Sequence, residues 1–119
     1  MIEISEPLPE SKVDLRTVHD ILLDGKRVGH VNVEYIQKDE VKTFRKYTKR
    51  KLKVGQPFGV HVFIDAVRNG VKASDLGKDG LLKLIDALIE KFRGLEKRDI
   101  YVLELNENGK EIVGKASEI

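Results

Sequence analysis

The stretch GVHVFIDAVRNGVKASDLGKDGLLKLIDALIEKF, residues 59–92, changes its apolar period midway, and that change sets the fold class. From Gly59 to Val67 apolar residues sit at every second position. Val60, Val62, Ile64 and Ala66 therefore share one side of a predicted buried strand. Asn69-Gly70 is a turn signal, and residues 71–79 read as a loop. Beyond it Leu81, Leu84, Ile85, Leu88, Ile89 and Phe92 recur at helical spacing, with Lys83, Asp86 and Glu90 opposite. This predicts a helix over about 80–93. Asp79 is its expected N-cap and pairs with Lys83 four residues on. Gly94 is its expected C′ residue, with Leu95 folding back on Ile89 or Glu90. A buried strand followed by an amphipathic helix fits an α+β domain.

Upstream, Leu15, Ile21 and Leu23 share one parity in the stretch 13–23, with Thr17 and His19 between them, which predicts a strand. Asp24-Gly25 turns the chain into a second strand, about Val28 to Ile36, with Val31, Val33 and Tyr35 inward. A three-residue loop sets Leu22 opposite Lys26, Leu15 opposite Val33 and Thr17 opposite Val31, and the apolar parities then coincide. Downstream, Ile100 to Leu105 reads as a strand that Asn108-Gly109 turns into a return strand over 110–115, pairing Leu103 with Val113. Residues 1–12 hold Pro7 and Pro9 and read as an irregular N-terminal arm, leaving 13–119 as one domain. The expected architecture is a mostly antiparallel sheet of four to six strands built from hairpins, with one or two helices on one face.

The segment over about 40–54 is open between two readings. As a helix it places Val41, Phe44, Tyr47, Thr48, Leu52 and Val54 on one arc and the cations other than Lys51 on the other, with Asp39 as N-cap and Gly55 at C′. As a strand it has the β-branched and aromatic content but carries basic residues on both faces.

Charge is concentrated in that segment. Residues 42–53, KTFRKYTKRKLK, hold seven cations and no carboxylate, whereas the rest of the chain carries a net −5. Seven like charges repel one another unless a polyanion or salt offsets them. Lys42, Arg45, Lys46, Lys49, Arg50 and Lys53 are the candidate phosphate contacts, since lysine and arginine release condensed counterions from nucleic acid. Lys26 and Arg27 in the first hairpin loop are candidates to extend the patch. Phe44 and Tyr47 lie within the run, either as base-stacking rings or as core.

Other chemistries have weaker support. The chain has no cysteine, which excludes disulfides, cysteine zinc sites and thiol nucleophiles. No apolar run approaches the roughly 18 residues that span a bilayer, and the acidic, proline-interrupted start does not read as a secretory signal. A cytoplasmic protein without a membrane partner is the expectation. Abundant Lys and Glu with few Asn, Gln and Met match the bias of heat-adapted proteins. His19, His30 and His61 all fall in predicted strands with no metal-ligand spacing, and His19 and His30 are expected on opposite faces. Asp20 or Asp24 followed by Glu40-Val41-Lys42 has the form of a metal-nuclease motif. Chance alone gives about 1.4 Glu-x-Lys tripeptides from this composition, and two are present. Gly77-Lys78-Asp79-Gly80 lacks the spacing of a phosphate-binding loop, and Ser5, Ser11, Ser74 and Ser117 fall in expected loops or tails, with no nucleophile-elbow motif.

The leading expectation is a small, non-enzymatic, intracellular nucleic-acid-binding domain with no cofactor. The alternative is a protein-interaction or homo-oligomeric module whose edge strands pair between copies. A metal-dependent nuclease is third.

Overall fold

The computed structural model describes residues 1–9 and 16–119, without the side chains of Phe44, Tyr47 and Thr48. Strands β1 (Ile2–Ile4), β2 (Arg16–Leu23) and β3 (Lys26–Tyr35) are followed by helix α1 (Val41–Thr48) and strand β4 (Pro57–Asp65). Helices α2 (Ala66–Asn69) and α3 (Ala73–Lys91) then lead to strands β5 (Ile100–Asn106) and β6 (Gly109–Lys115). Among the described residues the strands form one six-stranded sheet in sequence order. Every neighbouring pair is antiparallel except β4 and β5, which the α2–α3 connection makes parallel. The chain is thus an α+β domain with a mostly antiparallel open sheet.

The alternation in β3, β4 and β5 decides which face is covered. Val31, Val33, Val60, Val62, Ile64, Ile100 and Val102 share one side and are buried against Leu81, Leu84, Ile85 and Leu88 of α3. The residues between them point to the far face. Burying an aliphatic side chain of this size contributes about 1.5–3 kcal/mol, so this two-layer core is the main source of cohesion.

The first hairpin differs from the expected register. Its loop is the two residues Asp24 and Gly25, at φ 50° and 82°, so Leu23 faces Lys26 and Thr17 faces Val33. Positive φ at both positions is the twist-matched turn for a tight hairpin, and Asp and Gly both tolerate it. The N-terminus reinforces the turn, because the Met1 ammonium pairs with the Asp24 carboxylate and the Asp24 N–H donates to the Met1 carbonyl at 3.0 Å. A bulge between Ile21 and Leu22 absorbs the odd residue, so most of the register moves by two and each side chain keeps its expected face. The expected Leu15–Val33 pair lies outside the described residues. In the second hairpin Leu103 faces Ile112 rather than Val113, and a bulge restores the expected register at Val102 and Gly114.

Residues 2–4 are strand β1 rather than irregular chain, since Ile2 and Ile4 pair with β2 and pack against the core. Residues 10–12 of the expected arm lie outside the described residues. Strand β4 ends at Asp65, so Ala66 opens α2 instead of extending the strand. Asp65 accepts from the Arg68 N–H at 2.9 Å and caps that short helix. Helix α3 starts at Ala73, where Asp75 accepts from the Lys72 N–H at 2.8 Å. Asp79 is therefore not its N-cap. Gly77, at φ 67° and ψ 178°, breaks the helix in a region open only to glycine, and the regular part matches the helix read from the periodicity.

The basic segment is helical over Val41–Thr48 only. Glu40 is the N-cap rather than Asp39, and Lys49 in the left-handed conformation ends the helix well before Gly55. Two anchors outweigh continuation of the helix. Leu52 is buried, and Arg50 is drawn to Asp99 at the entrance of β5.

Candidate nucleic-acid interface

The seven cations of residues 42–53 divide into two groups. Arg50 is held in a two-pronged pair with Asp99, at 2.6 and 3.0 Å, and also approaches Glu96 at 3.4 Å. The Asp99 carboxylate raises the guanidinium pKa above its ordinary value. Arg50 is thus held against the fold by carboxylates, unlike the exposed lysines around it. Lys42, Arg45, Lys46, Lys49, Lys51 and Lys53 are exposed. Among the described residues, Lys42, Arg45, Lys49, Lys51 and Lys53 make no ion pair. Arg45 and Lys46 lie in the last turn of α1, where the helix dipole favours cations.

Lys26 and Arg27 do not extend this patch. They open β3, whereas the basic segment follows its end, about 30 Å of strand away. Arg27 is the hub of a separate network. It donates to Asp20 at 2.9 Å, to Asn69 at 2.6 Å, and to Asp65 and His30 at 3.4 Å. Burial lowers the His30 pKa, and the Arg27 charge lowers it further. The imidazole therefore accepts from the guanidinium.

The far face of the sheet carries rings that the sequence reading passed over. His30 stacks on Phe63 with centroids 4.8 Å apart at 19°. His61 stands 6.4 Å from Phe63 and 6.0 Å from Tyr101. Lys110 and Lys115 each place an ammonium 5.5 Å from a ring centre, over Phe63 and Tyr101 respectively. Phe63 is buried, while His61 and Tyr101 are exposed. The signal was available in the sequence, because His61 and Phe63 alternate with Val60, Val62 and Ile64 and so take the opposite face.

His19 is on the covered face, where it meets the Phe92 ring edge-on at 5.0 Å. His30 is on the opposite face, as expected from parity. Among the described residues no group of three or more His, Cys, Asp or Glu side chains stands together to hold a metal ion. The residues of the nuclease-like pattern have separate partners: Asp20 is with Arg27, Asp24 with the N-terminus, and Glu40 with the Gln37 N–H at 3.3 Å. A depression of about 500 Å³ beyond β4 and β5 is lined by Glu104, Glu107 and Glu111 with one cation, Lys72. Its charge repels a polyanion. No helix of the described residues is long and apolar enough to cross a membrane. No protein-family model, no curated protein and no solved structure matches the chain.

Proposed function

We propose that this chain is a small cytoplasmic nucleic-acid-binding domain that grips phosphates through Lys42, Arg45, Lys46, Lys49 and Lys53. The carrying observation is the run of seven cations without a carboxylate in a chain that is otherwise net acidic. Exposed cations on a short helix and the loop after it offer several phosphate contacts, and counterion release then drives binding without base readout. Arg50 supports the reading indirectly by fixing that loop against the body of the protein.

Fluorescence anisotropy with a labelled duplex over a range of salt tests the proposal. Five phosphate contacts give a log–log slope of about −4.5. Replacing the five named residues by alanine flattens that slope and weakens binding of duplex and single strand alike. Unchanged affinity in that variant overturns the proposal.

A second reading, pairing between copies, draws on edge strand β6, where Ile112 is 76 % exposed and Val113 is also exposed. Sedimentation velocity at several concentrations decides it, and a monomer at every concentration rejects it.

A further inference from the structure

We propose that the far face of the sheet, around His61 and Tyr101, is a stacking platform for single-stranded nucleic acid. It deepens the nucleic-acid reading and rests on it. The two rings lie opposite each other on the parallel pair β4 and β5 with centroids 6.0 Å apart, so neighbouring bases of one strand reach both. Both rings are exposed, Tyr101 at 38 %. An aromatic ring held on a sheet loses little freedom when a base covers it, and stacking tolerates any base because each has a π face.

Charge selects the occupant. Asp20 and Asp65, at the end of this face away from Tyr101, share the one guanidinium of Arg27, and Glu34 is a third carboxylate on this face, opposite Arg16 and Gly59. Lys110 and Lys115 on β6 have no carboxylate partner among the described residues and rest on the rings instead. A cation over an exposed ring is held more weakly than a base stacked there. An arriving base displaces Lys115 from Tyr101, and the freed ammonium meets the phosphate beside it. Topology joins this face to the basic segment. That segment enters β4 at the end of the sheet where β5 starts and β6 ends, the end that carries His61, Tyr101 and Lys115. A strand held by its phosphates along residues 42–53 thus continues onto the rings. A duplex does not, because its bases are already stacked within the helix.

The test measures binding of the full chain to labelled oligothymidylate, oligouridylate and a duplex. The paired substitution His61→Ala/Tyr101→Ala is expected to weaken single-strand binding by about tenfold or more and to leave duplex affinity and salt slope unchanged. The pair His61→Phe/Tyr101→Phe keeps the rings and is expected to keep the affinity. Wild-type single-strand affinity in the alanine pair, or equal losses in both pairs, overturns the platform and leaves the phosphate reading standing. Failure of the wild-type chain to bind either nucleic acid removes both. A wild-type dimer that the alanine pair converts to a monomer with unchanged nucleic-acid binding makes this face an interface between copies and overturns the platform. Should the alanine pair fail to fold, photocrosslinking of a bromouridine strand to the wild-type chain decides. Adducts on His61 or Tyr101 support the platform, and adducts confined to residues 42–53 overturn it.

Discussion

Arg50 and Asp99 form a forked ion pair at 2.6 and 3.0 Å across 49 positions of sequence, with only 12 % and 7 % of their side chains exposed. The pair ties the loop after α1 to the entrance of β5. Removing one partner leaves a charge with little access to water. Arg50→Ala or Asp99→Ala is therefore expected to destabilise the fold by about 3 kcal/mol, measured by urea denaturation. Alanine at exposed Lys42 or Lys49 is expected to change stability by less than about 0.5 kcal/mol. Equal effects at the two kinds of site would show that the pair contributes no more than a surface contact.

A buried histidine makes stability depend on pH. His19 Nδ1 donates to the Ser5 carbonyl at 2.8 Å, since the carbonyl can only accept. Nε2 then accepts from the Thr17 hydroxyl at 2.9 Å, and Thr17 in turn accepts from the Tyr35 hydroxyl at 3.0 Å. This chain of bonds needs the neutral ring. Burial lowers the His19 pKa from its ordinary 6.5, although the Ser5 carbonyl opposes the shift. The unfolded chain therefore binds the proton first as pH falls. Stability is full above about pH 6.5 and declines as pH drops below it, until the native ring is also protonated. His30, lowered in the same direction, adds to the slope. Urea midpoints at pH 8 and below 6 are expected to differ more in the wild type than in His19→Gln, and equal differences would remove His19 as the cause.

Gly29 leaves no room for a side chain between β3 and β4. It sits opposite Ile64, and a Cβ there would land on the Phe63 carbonyl oxygen. Gly29→Ala must push β3 from β4, which breaks the ladder under Phe63 and His30. The expected loss is at least about 2 kcal/mol by thermal denaturation. Gly59, with open space at its Cβ, is the control and is expected to accept alanine with little change.

The sheet, its apolar parity and the main helix were legible because they rest on local periodicity. Val60, Val62 and Ile64 alternate, and Leu81, Leu84, Ile85 and Leu88 recur at helical spacing, whatever lies far away in sequence. Hairpin loop length was less legible. Asp24-Gly25 suits both a two- and a three-residue loop, and the grip of the N-terminus on Asp24 favours the shorter. The end of α1 was not legible, since it depends on Asp99 and on the burial of Leu52. For the candidate site, the sequence exposed the cations but not their division. Arg50 resembles its neighbours until the fold brings a carboxylate to it. The ring platform was half visible, because parity places His61 opposite Val60 and Val62, while its pairing with Tyr101 follows only from the parallel register of β4 and β5.

Asn32 opposes stability on the same far face. It lies between Val18 and His61 in the sheet, and its Oδ1 is buried without a hydrogen-bond partner. An orphaned amide oxygen costs about 1–3 kcal/mol relative to hydration. Valine is shorter and branches at Cβ, but it favours a strand and removes the orphan. Asn32→Val is therefore expected to raise stability by about 1 kcal/mol in urea denaturation. Because the substitution leaves His61 and Tyr101 in place and alters no charge, oligothymidylate binding should stay at the wild-type level. A loss of stability in Asn32→Val would mean that the amide makes a contact worth more than its burial, and a loss of binding alone would place Asn32 within the surface that the bases touch.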